Sequence, residues 1–245
     1  MTGGPSPAFG VLLTRPAWQG MRFAAALRRR FPAVRIVESP LLAPVLMRPE
    51  LPPGPFDAVV FTSETGVASA IPYRAALPRL AFAVGDRTTE AARGAGFDAR
   101  SASGDADALV ALLAHLRLGR LIHLHGEDTR GDVAGRLTAA GIETHAAVTY
   151  RQVAQPLTDL ARSMLADTAP VVLPVFSPRT ARLLSAAVRD AAAPLWLASL
   201  SAAVEAAAEL RADRRVQCQT PDAEGMLAAI ERLTRPPSAG RGASA

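Results

Sequence analysis

Apolar positions follow two rhythms that alternate along this chain. Short runs of Val, Leu, Ile and Phe end on small or hydroxyl-bearing turns, and Ala-rich stretches with apolar positions three and four apart come after them. Val11-Leu12-Leu13 predicts the first strand, running into Thr14-Arg15-Pro16. Pro16 suits the first turn of a helix that carries Phe23, Ala24 and Leu27 on one face. VRIVESPLLAP holds Pro40 and Pro44, which suit an edge or connecting strand. DAVVF predicts a strand ending at Thr62-Ser63, with a short helix to about Ala70. LAFAVG and the helix DRTTEAARGAG repeat the unit, with Gly94 or Gly96 as stop signal. Then come a helix DADALVALLAHL, a strand RLIHLHG, a helix TRGDVAGRLTAAG ending at Gly141, and an extended segment THAAVTYRQV.

The second half restarts the pattern. PVVLPVF leads through Ser177-Pro178 into the helix RTARLLSAAVRD, and PLWLASL into SAAVEAAAEL. RVQCQ is a strand and DAEGMLAAIERL a final helix. Strands alternating with helices across short turns predict an α/β fold with mainly parallel sheets flanked by helices. An internal duplication suggests two domains: a shift of 115 positions lays Thr88 on Ala203 (203 − 88), Glu90 on Glu205, Asp107 on Asp222 and Leu112 on Leu227. Ser63 falls near Ser177 in the same way. Segments 1–10 and 237–245, rich in Gly, Pro, Ser and Ala, are expected to be disordered tails.

Composition narrows the class of protein. Hydrophobic residues make up 49% of the chain and aromatics 5%, so the core must come mainly from Ala, Leu and Val. Every basic side chain is arginine, a bias of the genome rather than of function, and 27 basic against 22 acidic residues favour anionic partners. Nucleic acid is not expected, since a basic stripe with a reading module is missing. The one basic run, Arg28-Arg29-Arg30, sits where a helix should end and suits its dipole. A single cysteine, Cys218, excludes an intrachain disulfide and a cysteine-rich metal site. MTGGPSPAFG has none of the regions of a signal peptide, and no apolar run reaches membrane-spanning length, so a cytoplasmic chain with no membrane association is expected.

In an open parallel sheet, ligands bind beyond the carboxyl ends of the strands, where helix N-termini point free N–H groups outward. The turns at Thr14-Arg15, Thr62-Ser63, Gly85 to Thr89, Gly126 to Arg130 and Ser177 share small residues, hydroxyls and arginines. That chemistry holds carboxylates or phosphates; any one Ser or Thr there is better explained as a helix cap, and it is the five turns together that point to an anion site. His123-Leu124-His125 puts two imidazoles on one face of a strand beside Glu127 and Asp128, but a metal would need further ligands and only His115 and His145 remain. Ser63 and Ser177 lack the Gly-flanked nucleophile elbow, and neither a P-loop nor a dinucleotide fingerprint is present. No metal and no cofactor is expected.

In chain order the turns resemble those of the uroporphyrinogen-III synthase family. The resemblance runs through Thr14-Arg15-Pro16, Phe61-Thr62-Ser63 with Val67, Val84-Gly85-Asp86-Arg87-Thr88, and Gly126 with Arg130-Gly131. It continues through Val148-x-Tyr150, Phe176-Ser177-Pro178 and Thr220-Pro221, spanning Val11 to Leu233. One segment departs: where the family repeats Ile-Gly-x-x-Thr, Ser199-Leu200-Ser201-Ala202-Ala203 lacks the glycine and the threonine, with Ser201 as a substitute hydroxyl.

The resemblance implies two α/β domains joined by a two-stranded connection. The first is discontinuous, 11–38 with 153–236, the second is 42–150, and VESPLLAP and AAVTYRQV are the connecting strands. It implies a cofactor-free lyase that dehydrates and cyclises hydroxymethylbilane, inverting ring D to give uroporphyrinogen III. The substrate is expected in a cleft between the domains of a monomer, with transient contact with hydroxymethylbilane synthase as a further expectation. Tyr150 is the expected proton donor, its alternative being a tyrosine that packs in the hinge. Arg15, Ser63, Gly85, Thr88, Arg130 and Ser177 are expected to bind the substrate's carboxylates. The rival function is a non-catalytic tetrapyrrole-binding or regulatory module on the same scaffold, motivated by the departure at Ser199 to Ala203.

Overall fold

A computed structural model describes residues 9–129 and 131–235. The chain divides into two compact units, one made of the chain up to Ala43 and from Ala154 onward, the other of Pro44–Val153. Each is a sheet of mainly parallel strands covered on both faces by helices, an α/β fold.

In the first unit, β1 (Gly10–Leu13) is followed by α1 (Ala17–Arg30) and β2 (Arg35–Glu38). After the second unit come α6 (Asp159–Leu165), β9 (Val171–Val175), α7 (Pro178–Ala187), β10 (Leu195–Ser199), α8 (Ala202–Ala206), β11 (Arg214–Gln217) and α9 (Ala223–Thr234). Its sheet runs β11-β10-β9-β1-β2. Alternation along the strands sorts the core: Leu12, Leu173 and Leu197 pack on one face, Val11, Leu13, Val172 and Ala198 on the other. Each such fully buried Leu or Val contributes about 1.5–3 kcal/mol of hydrophobic stabilisation. Phe23, Ala24 and Leu27 are the buried stripe of α1, and Arg28, Arg29 and Arg30 occupy its last turn.

The second unit contains β4 (Ala58–Phe61), α2 (Glu64–Ala70), a 3-10 turn (Ile71–Tyr73), β5 (Leu80–Ala83), α3 (Asp86–Gly94), β6 (Asp98–Ser101) and α4 (Ala106–Ala114). β7 (Arg120–Gly126), α5 (Val133–Ala139) and β8 (Glu143–Ala154) complete it. An edge strand that tolerates Pro44, β3 (Leu42–Leu46), heads the sheet order β3-β8-β7-β4-β5-β6. The chain passes between the units on β3 and β8, which are neighbours in this sheet. Val59, Phe61, Ile122 and Leu124 fill one face of the sheet, and Ala58, Val60, Phe82 and Leu121 the other.

The two sheets share a topology. The run β6-β5-β4-β7-β8 matches β11-β10-β9-β1-β2, except that β1 and β2 come first in their unit and β7 and β8 last in theirs. Caps locate the duplication better than a fixed shift of 115. Ser63 and Ser177 cap α2 and α7 (177 − 63 = 114), Gly85 and Ser201 stand before α3 and α8 (201 − 85 = 116), and Asp105 and Asp222 cap α4 and α9 (222 − 105 = 117). Asp105, not Asp107, is therefore the counterpart of Asp222, because turn lengths differ between the copies.

Three expectations are corrected at element ends. Phe9 and Gly10, inside the expected tail, are ordered: Gly10 pairs with Arg35 and Val171, and Phe9 packs edge-on against Phe31. The helix expected from Thr129 starts at Val133, because Gly131 at φ 83° and Asp132 at φ 30° take left-handed conformations and the Asp132 carboxylate caps Gly135 N–H. The helix expected over SAAVEAAAEL stops at Ala206. Residues 1–8 and 236–245 lie outside the described residues, and so do the expectations on them. Among the described residues no helix is long and apolar enough to cross a membrane.

Candidate functional site

The second unit has a hollow of about 440 Å3 at the carboxyl ends of its strands. Thr62 and Ser63 enter it after β4, Val84 after β5, Gly104 to Asp107 before α4, and His123 and Gly126 from β7. Asp128, Thr129, Gly131, Arg136 and Tyr150 complete the wall. Helices α2, α4 and α5 begin here, their first N–H groups met by Ser63, Asp105 and Asp132, and the wall carries Arg136 together with Asp105, Asp107 and Asp128.

Tyr150 reaches the hollow through an irregularity in β8. His125 is paired with Val148 but Gly126 with Tyr150, so Thr149 is an extra residue, a bulge that re-aims its neighbours. The Thr149 hydroxyl goes to Ser69 on the buried side, 2.6 Å away. Tyr150, 9% exposed, lies over Gly126, where a β-carbon would stand 2.6 Å from its ring. The Tyr150 hydroxyl is 3.0 Å from Ser63 Oγ, which accepts the Gly66 N–H at 2.9 Å and caps α2. Since Ser63 Oγ already accepts a hydrogen bond from the backbone, its own O–H is free to point at the tyrosine oxygen.

His123 is 3% exposed, and its Nε2 lies 3.3 Å from Thr62 Oγ1. Burial, with the charge of His125 as the smaller cause, pushes its pKa down from 6.5 to about 3. The His125 ring is 4.7 Å from that of His123, on the same face of β7, and its Nδ1 is 2.7 Å from the Gly126 carbonyl oxygen. Among the described residues no three His, Cys, Asp or Glu side chains are grouped to hold a metal ion.

Of the residues singled out in the sequence, Tyr150 and Ser63 meet. Gly85 precedes α3 and, as a glycine, offers no side-chain cap to the first N–H groups of that helix. Thr88, in its first turn, is buried at 6% exposure and does not line the hollow. Arg15 and Ser177 belong to the other unit, where the Arg15 guanidinium stacks 3.8 Å above the Phe176 ring, next to Ser177. Ser177 Oγ caps α7 through the Thr180 N–H at 3.2 Å. Arg130 lies outside the described residues.

The departure from the family pattern is shifted by one residue. The counterpart of Val84-Gly85-Asp86-Arg87-Thr88 is Leu200-Ser201-Ala202-Ala203-Val204, because Gly85 and Ser201 both stand at the N-cap. Ser201 thus replaces the glycine, and its hydroxyl accepts the Val204 N–H at 3.4 Å. Val204 replaces the threonine with a side chain of the same shape, 2% exposed where Thr88 is 6%. Arg136 went unrecognised in the sequence. It is one turn beyond the Asp132 cap on α5, a spacing that carries it to the same wall, where its guanidinium pairs with Asp107 at 2.7 Å. A hollow of the same size lies where β10 begins, in the unit that does not hold Tyr150, and is lined by Arg189, Arg211, Glu209 and Asp213.

Residues 22–228 match the family profile described as uroporphyrinogen-III synthase HemD. Among solved structures the chain is similar to the uroporphyrinogen-III synthetase of Helicobacter pylori 26695, at TM-score 0.65 and 16% identity over 92% of this chain and 99% of that one. It is also similar to a mutant uroporphyrinogen III synthase of the extremely thermophilic bacterium Thermus thermophilus, at TM-score 0.46 and 14% identity over 92% and 98% of the two chains. No curated protein matches.

Proposed function

Because the chain belongs to the uroporphyrinogen-III synthase family, we propose that it converts hydroxymethylbilane to uroporphyrinogen III with Tyr150 as the acid. The observation that carries this assignment is the Tyr150–Ser63 contact of 3.0 Å on the wall of the hollow at the carboxyl ends of the strands. The phenol gives its proton to the hydroxymethyl oxygen as the C–O bond breaks, so water leaves and an azafulvene remains. The Ser63 O–H donates to the phenolate oxygen while it carries charge. The last pyrrole then attacks through its substituted carbon, and the spiro product fragments and recloses with ring D inverted. The proton lost from carbon as the ring aromatises returns to the phenolate.

The rest of the catalysis is positioning of a flexible chain. Ser63, expected to bind a carboxylate, is engaged by Tyr150 and Gly66 instead; substrate carboxylates are taken up by the N-terminus at Gly85 and Thr88, and by Arg15, Ser177 and Arg130. We take the enzyme to act as a monomer in the cytoplasm, receiving its unstable substrate from hydroxymethylbilane synthase.

The test supplies freshly made hydroxymethylbilane, oxidises the products and separates isomers I and III. The wild-type protein is expected to give isomer III, and Tyr150→Phe to slow it about a hundredfold with unchanged circular dichroism. Isomer I alone from folded wild-type protein would favour a non-catalytic tetrapyrrole-binding module, a reading to which the loss of the hydroxyl at Val204 lends some support.

A further inference from the structure

β7 holds a polar ring where alternation calls for an apolar one. Leu121 and His123 share a face of the strand, and His123 stands opposite Val60 and Ala146 on the neighbouring strands. Thr62, two residues beyond Val60, projects on the same side, and it is the hydroxyl 3.3 Å from the imidazole. Both residues line the hollow that holds Tyr150. A buried imidazole without a chemical task is a cost to the fold, since an apolar side chain would fill that place.

We propose that His123 is a positioning residue for substrate binding: its Nε2–H donates to the Thr62 oxygen and turns the Thr62 hydroxyl proton into the hollow, toward a substrate carboxylate. The inference rests on the proposed function, which supplies the carboxylates. A neutral imidazole has one N–H and one lone pair, so two arrangements exist. If Nε2 accepted from Thr62, the hydroxyl would face the hollow with lone pairs and repel an anion. If Nε2–H donates, Thr62 presents its proton, which is what an acceptor-only carboxylate requires. Burial keeps the ring uncharged, with its pKa pushed down to about 3, so the ring has one N–H to place and the choice falls on what the hollow must bind. The neighbouring Ser63 is already committed, to the Gly66 N–H and to Tyr150, so Thr62 is the hydroxyl of this turn left for the substrate.

The experiment is a double-mutant cycle read as KM and kcat. His123→Leu is expected to raise KM about tenfold and to change kcat less than about twofold. His123→Gln, whose amide nitrogen reaches the Nε2 position, recovers most of the loss. In the Thr62→Val background His123→Leu adds nothing, because the hydroxyl it orients is gone. A full tenfold penalty in that background, or a loss in kcat alone, overturns the proposal. The second measurement needs neither substrate nor variant: nitrogen NMR of the wild-type histidines is expected to find the His123 proton on Nε2. A proton on Nδ1 overturns the proposal even if isomer III forms normally. Failure of the wild-type protein to make isomer III would instead remove the proposed function and leave the tautomer result standing.

Discussion

Glutamine at position 123 would remove a group that the fold keeps uncharged, and the effect should appear in how stability follows pH. The imidazole ordinarily titrates at 6.5, and burial, with a smaller contribution from His125, pushes it down to about 3. Between those values the unfolded chain takes up a proton that the folded chain refuses. Stability is therefore complete above about pH 6.5 and falls as the pH drops toward 3. The slope approaches ~1.4 kcal/mol per pH unit well below 6.5, so the wild-type protein should lose about 2 kcal/mol between pH 7.5 and 5. That is a sizeable part of the ~5–15 kcal/mol that holds a domain together. The carboxylates of Asp57, Glu143 and Glu231 are held below their usual range by hydrogen bonds from Arg120 and Gly119 N–H, from His145 and Arg120, and from Arg30 respectively. Their contributions are lost only as pH falls through the ordinary carboxylate range, below the window in question. The other histidines are common to both proteins and cancel in the difference. Hydrogen exchange of the β7 amides, corrected for intrinsic rate, reads the second unit directly. Trp18 and Trp196 both lie in the first unit, so indole emission reports on that unit instead. Protection of β7 in wild-type protein should fall by about 2 kcal/mol from pH 7.5 to 5, while that of His123→Gln stays nearly flat. Parallel profiles for the two proteins would refute the claim that the buried ring is neutral in the fold.

Gly126→Ala would set a β-carbon 2.6 Å from the Tyr150 ring and 2.9 Å from its hydroxyl, so the ring must swing off Ser63. Turnover to isomer III should drop at least about tenfold with little change in melting temperature, and unchanged turnover would detach the Tyr150–Ser63 contact from catalysis. Thr88→Ala and Arg15→Ala should each raise KM a few-fold, about 1 kcal/mol of binding, since many contacts share the substrate. A complete loss in either, from folded protein, would mean that one residue dominates binding.

The strands and the turns that end them were legible because both faces of each sheet are covered, which leaves continuous apolar runs such as Val171–Val175. What escaped was short or set by partners distant in sequence. β6 and α6 have four and seven residues, too few to establish a period. α8 ends after five residues although Ala continues beyond it, so propensity alone overextended it. The bulge at Thr149, which brings Tyr150 over Gly126, is invisible locally because it depends on pairing with a strand some 25 residues earlier. His123 carried a signal, a histidine on an apolar face, but its partner Thr62 is 61 positions away. The one-residue offset at Val204 was hidden by Ala-rich helices, which fit one another in more than one register.

The permuted match between the two sheets sets an order of assembly on the ribosome. The second unit is continuous, so all of its strands are available once Val153 has emerged. β1 waits longer: it pairs early with β2, but its other neighbour, β9, does not begin until Val171. Through that interval a fully apolar strand, Gly10–Leu13, has one side unpaired, exposed to whatever nascent chain or chaperone is nearest. The first unit to be started is thus the last to close.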